Sequence, residues 1–277
     1  MTTRQAGLRK VAAGIGIALI TLLHAGASAT AGAIPTPGSV RFVDHGGPVL
    51  KAAKVDLVYW GSTWIASGSS YPTPDQITAA IGTLLAGPYL SGLAQYRSIQ
   101  PAALRGSTVI TSSDPPAGCT DRQVRDFLNR QIDADAVPGE PDWDQQTLYV
   151  VVLPATTHAA GDSPFVGEHN YYTRHGQQIH YAWADIASLF TATQIISHEL
   201  VESITNPEGS AILGVAGTCR QDGWCEIADV CPDPLLVDGV AAAPYWSNQE
   251  GACIAPARAS AADLPNAYAT RSGHRSS

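Results

Sequence analysis

The run Ser197-His198-Glu199-Leu200-Val201-Glu202 constrains this chain more than any other feature. It lies in a stretch, residues 188–206, whose apolar positions recur at helical spacing and which Pro207 stops. On an α-helix, positions i and i+4 share a face one turn apart, so His198 and Glu202 can grip one cation together. Glu199 is rotated about 100° from His198, within reach of a water on that cation. The opposite side of the helix would bury Ile195, Ile196, Leu200 and Ile204. The chain has 8 histidines, and four of its seven glutamates fall between 199 and 226, a clustering that random placement would rarely give.

The remaining pattern is that of a mixed α/β fold. Residues 55–60 read as a buried strand stopped by Gly61, and residues 107–111 as a second. Thr73-Pro74-Asp75 opens a helix whose core side is Ile77, Ile81, Leu84 and Leu85. Thr120-x-x-Gln123 is a capping box for a helix burying Val124, Phe127, Leu128 and Ile132. A turn-rich break at 138–143 precedes the strongest strand, the unbroken apolar run 148–153, suited to a sheet centre. Glu168, His169, Tyr171, Tyr172 and His175 fall in a looser stretch before strand character resumes at 178–183. A sheet backed by helices, with the 188–206 helix beneath it, predicts a cleft along one sheet edge. From Gly209 the chain is rich in loops, with a hairpin at 235–240 turning on Asp238-Gly239.

Residues 1–33 read as a secretory signal. Arg4, Arg9 and Lys10 precede an apolar stretch, residues 11–23, that falls short of the ~20 residues of a spanning helix. Small-residue cleavage sites follow at 27–29 and 31–33. A single domain, residues 34–256, and a small, polar tail, 257–277, complete the expected organisation. A net charge of −8, with only 14% charged residues, argues against a nucleic-acid or anionic-membrane partner. All five cysteines lie beyond the signal, where an oxidising destination favours disulfides. Cys219, Cys225, Cys231 and Cys253 would staple a segment poor in hydrophobic runs, with three pairings open, and Cys119 is left as the odd thiol. No Cys-x-x-Cys pair supports a zinc–thiolate cluster instead.

A catalytic metal centre needs a third protein ligand and a position for water. The best downstream source is Cys225-Glu226-Ile227-Ala228-Asp229. Glu226 is the expected third ligand and Asp229 the acceptor for the free ring N–H of His198; the reverse assignment, with Asp229 on the metal, stays open. One divalent ion per chain, zinc or another, would lower the pKa of its water, and Glu199 would take the proton as hydroxide attacks a carbonyl. His169, Tyr171, Tyr172, His175 or His180 could steady the oxyanion. The arrangement is the His-Glu-x-x-His zinc-peptidase helix with Glu202 in place of the second histidine. One histidine with two carboxylates makes a more neutral site that acidifies water less and admits harder cations. Glu199 with Glu202 or Glu226 as a glycosidase pair is a weaker alternative, since it leaves His198 unexplained. Trp60, Trp64, Trp183, Trp224 and Trp246 could line a groove or sit in the core.

Several segments together resemble the phosphate-induced, EXORDIUM-like family of secreted proteins. They are His45-Gly46-Gly47-Pro48-Val49-Leu50, Val58-Tyr59-Trp60-Gly61 with Trp64, Gly167-Glu168-His169, Ser197 to Glu202 leading into Thr205-Asn206-Pro207, and Glu226 to Cys231. The family's Cys-Gly before its histidine appears here without the cysteine, and its Gly-rich segment after the acidic motif is shortened. The resemblance implies an extracellular or cell-wall-associated protein with a zincin-like metal helix. Two functions are then expected to compete. One is a secreted metallopeptidase acting on peptides or proteins; the other is a catalytically silent binding or signalling protein on the same fold, engaging a wall polymer. The presence of Glu199 favours chemistry, because a silent binder needs no base beside its ligand.

Overall fold

The segment Thr147–Leu153, TLYVVVL, is buried at every position, which only a strand flanked on both sides and covered on both faces allows. Around it a computed structural model of the chain describes residues 40–66, 72–137, 144–160, 166–215, 218 and 225–259. The expected signal, the 138–143 break, Cys219, Trp224 and the tail from 260 lie outside the described residues. The described residues belong to one compact unit, Pro35–Ser277.

In chain order the elements are β1 (Phe42–Asp44), β2 (Lys54–Trp60), α1 (Pro74–Ala86), β3 (Ala103–Ile110), β4 (Gly118–Cys119), α2 (Asp121–Asp133), β5 (Thr147–Leu153), β6 (His158–Ala159), β7 (Gly167–Arg174), β8 (Gln177–Asp185), α3 (Leu189–Thr205), β9 (Ile212–Gly214), β10 (Leu235–Val237), β11 (Val240–Ala242), β12 (Tyr245–Ser247) and β13 (Ala252–Ile254). Short 3₁₀ turns occupy Ser62–Ile65 and Tyr89–Gln95. The main sheet has the order β3-β2-β5-β8-β7, parallel except for β7, which closes one edge antiparallel to β8. This is a mixed α/β architecture in three layers.

Side-chain alternation along the strands sorts the layers. Val55, Leu57, Leu148, Val150, Ala182 and Ala184 pack with α1 and α3 on one face. Val58, Tyr149, Val151, Tyr181 and Trp183 pack with α2 on the other. There the Trp60 and Phe127 rings stack at 4.1 Å and 6°. Trp60, Trp64, Trp183 and Trp246 are all buried, so the core holds them and no aromatic groove uses them.

In the main sheet two strands, β3 and β7, differ from the sequence expectation, and both lie at its edges. β3 begins at Ala103, four residues earlier than expected, because an edge strand alternates polar and apolar side chains. Its Arg105 pairs with Asp56, which is fully buried on β2. Residues 167–174, expected to be loose, form β7. Their alternation is invisible as hydrophobicity, since Glu168 and Asn170 face one side and His169 and Tyr171 the other. His175 (φ 51°) and Gly176 (φ 81°) make the tight turn into β8.

The C-terminal part consists of short antiparallel pairs, β10–β11 and β12–β13. Asp238 and Gly239, both at positive φ, form the expected hairpin turn. Cys231 and Cys253 form a disulfide across a separation of 22 residues, and Cys225 is also disulfide-bonded. Cys119 is a buried free thiol whose pKa burial pushes up to about 11.

Candidate metal centre

α3 positions the chemistry. Ser188 caps it, its hydroxyl accepting the Thr191 N–H at 3.1 Å, and the helix ends at Asn206 just before Pro207. Ile196, Leu200 and Ile204 are buried toward the sheet. Ile195, expected on the same face, is partly buried and turns toward β7 instead. A Cβ added at Gly167 would come within 2.6 Å of Ile195 Cγ2 and 2.8 Å of Glu199 Oε1, so only glycine lets β7 approach α3 this closely.

His198 and Glu202 meet as the helical spacing predicts, Nε2 to Oε1 at 3.2 Å. Asp229 brings its Oδ1 to 3.6 Å from the same nitrogen. The other Asp229 oxygen accepts the backbone N–H of Glu226 at 3.0 Å, which fixes the turn. Glu226 itself points elsewhere. Its Oε1 accepts from Asn206 Nδ2 at 2.5 Å, and its Oε2 lies 2.9 Å from His169 Nε2. Two groups thus have ligand atoms within 4.8 Å of one another: His198, Glu202 and Asp229, and His169, Glu202 and Glu226. Of the two assignments open at the sequence level, the geometry puts Asp229 beside His198, and sets Glu226 with a histidine that the spacing did not single out as a ligand. His169 reaches the cluster from β7, paired with Ala182 of β8, a placement that depends on the sheet and has no local signature.

The cluster fits a cation. Glu202 is 4% exposed, and its Oε1 has no hydrogen-bond partner despite its nearness to His198. A buried carboxylate oxygen 3.2 Å from an imidazole nitrogen but without a hydrogen bond is costly, and a shared cation would satisfy both. The donor set, imidazole and carboxylate, suits zinc and harder divalent ions alike.

Without an ion, Glu199 and Glu202 hold their protons more tightly than ordinary carboxylates. Burial pushes Glu199 up to about 8 and Glu202 up to about 7, against the opposing pull of His198. Burial would lower both histidines, but the facing carboxylates prevail. Glu226 holds His169 up at about 9, and Glu202 with Asp229 keeps His198 well above its ordinary value. Glu199 forms no hydrogen bond among the described residues, and its carboxylate lines a cleft of about 280 Å³ bounded by β7, α3 and residues 207–209. The expected cleft at the sheet edge is therefore present, with His198, Glu199, Glu202, Glu226 and Asp229 all on its wall.

The oxyanion donors proposed from sequence separate. Tyr171 lines the cleft and is 38% exposed. Tyr172 packs edge-to-face on Tyr181 on the α2 side. His180 is buried against Glu208 at 3.1 Å, and His175 occupies the β7–β8 turn. No family model, curated protein or solved structure matches the chain.

Proposed function

We propose that this chain is an exported, metal-dependent hydrolase, a zinc peptidase or a peptidase using another divalent ion, on a zincin-like scaffold of the kind its resemblance to the phosphate-induced, EXORDIUM-like proteins suggests. The observation that carries the reading is the buried Glu202 Oε1, without a hydrogen bond and 3.2 Å from His198 Nε2, with Asp229 beside it and Glu199 one residue along the helix. His198, Glu202 and Asp229 would hold the ion. When bound, the ion supplies an acidified water and a Lewis acid for a carbonyl.

The chain's own residues do the rest. Glu199 accepts the proton from the attacking water and later returns it to the leaving amine. Its elevated pKa in the ion-free site would fall beside a cation, since a neighbouring positive charge favours the carboxylate. Tyr171, on the cleft wall, is the hydroxyl available to the oxyanion. The antiparallel edge strand β7 forms the cleft's other wall. The disulfide agrees with an oxidising destination.

Elemental analysis of the purified protein should find at least one divalent ion per chain, and Glu202→Gln should remove it. Glu199→Gln should keep the ion yet lower peptide hydrolysis by roughly 10²–10⁴-fold, the usual worth of a general base. A metal-free native preparation, or full activity in Glu199→Gln, would refute the reading; the first outcome leaves the silent binding protein in its place.

A further inference from the structure

We infer that the centre holds two divalent cations bridged by Glu202, not one. This rests on the metal-site reading above and extends it. Two ligand groups exist, each with one histidine and two carboxylates, and Glu202 belongs to both. The outer acids are divided between them by their own supports. Asn206 occupies Glu226 Oε1 and leaves Oε2 to the His169 side. The Glu226 backbone N–H occupies Asp229 Oδ2 and leaves Oδ1 to the His198 side. Each outer acid therefore presents one oxygen to its own histidine, and only Glu202 stands between the pairs.

Charge favours the same count. Six acids line the cleft, and four of them (Glu199, Glu202, Glu226 and Asp229) belong to the two ligand groups or stand beside them, together with two imidazoles. With these imidazoles neutral and these four acids ionised, one divalent ion leaves a formal charge of −2, while two bring it to zero. Glu199, Glu202 and Glu226 are each at most 6% exposed, so an uncompensated charge there has little water to solvate it. A carboxylate bridge matches the ~3.5–4 Å spacing of known two-metal sites. The competing account is a structural His169–Glu226 pair, already hydrogen-bonded at 2.9 Å, beside a single ion.

Metal-stripped full-length protein, titrated with Mn²⁺ and followed by electron paramagnetic resonance, separates these. Two equivalents should bind, and the second should produce the exchange-coupled signal of a bridged pair. This needs no variant that might misfold. His169→Ala and Glu226→Gln should each saturate at one uncoupled ion, as should His198→Ala. Saturation of the unaltered protein at one equivalent, two ions without coupling, or two ions retained in both His169→Ala and Glu226→Gln would each overturn the bridge. One ion would leave the hydrolase reading standing, whereas none would remove both.

Discussion

Two helices pack on opposite faces of one sheet and carry opposite burdens. α2 buries Val124, Phe127, Leu128, Gln131 and Ile132 and leaves its other side to water. α3 is buried almost all round, including Ser197, Glu199, Glu202, Ser203 and Thr205. Side chains of the α2 kind stabilise a fold simply by leaving water. Glutamates of the α3 kind oppose folding unless they are protonated, paired or bound to a cation. The contrast separates the part of the molecule that supplies stability from the part that spends it on a site.

The largest expected effect tests that contrast through pH. Glu199 and Glu202, ordinarily near 4.5, rise to about 8 and about 7, and His169 rises from 6.5 to about 9. Each binds its proton more tightly folded than unfolded. Their stabilising contribution is complete below the unfolded values and is lost as pH climbs through the folded ones. His180, lowered by burial, works in the other direction, but only below 6.5. In chelator, the urea midpoint should therefore fall steadily between about pH 5 and pH 9, and saturating metal should flatten the fall. A metal-free midpoint that rises across this window would show that the α3 acids are not the charged burden inferred here.

Much of this division is legible in the sequence, and what is not has a physical cause. α2 and α3 announce themselves through Thr120-x-x-Gln123, through Pro207 and through apolar positions at helical spacing, because those signals are local. β5 is legible because both its faces are buried. β7 is not, since its two faces are both polar and its strand character comes from pairing with β8. The place of His169 in a ligand group is hidden for the same reason: its approach to Glu226, 57 residues later, is created by sheet register. The division of labour between Glu226 and Asp229 also escapes spacing, because it turns on Asn206 holding one Glu226 oxygen.

The next effect should fall on the α2 face alone. Phe127 is fully buried and stacked on Trp60, so Phe127→Ala removes a large side chain from a packed interface. A loss of about 3–5 kcal/mol is expected from denaturant unfolding. Metal affinity of the remaining folded protein should stay within about twofold, a difference well under 1 kcal/mol. A large drop in affinity would mean that the sheet transmits packing changes from one face to the other, and the two regions could not be treated separately.

The smallest effect compares the helix caps. Thr120 Oγ1 accepts the Gln123 N–H at 3.3 Å while Gln123 returns a bond to the Thr120 N–H at 2.9 Å. Ser188 makes the equivalent bond to Thr191 at 3.1 Å. Thr120→Ala and Ser188→Ala should each cost about 1 kcal/mol in thermal or urea unfolding. Ser188 lies about three turns before His198, further than a frayed first turn extends, so its loss should leave metal affinity unchanged. If Ser188→Ala weakened metal binding while Thr120→Ala did not, the rigidity of α3 would have to come from its cap. The packing of Ile196, Leu200 and Ile204 would then no longer account for where His198 and Glu202 stand.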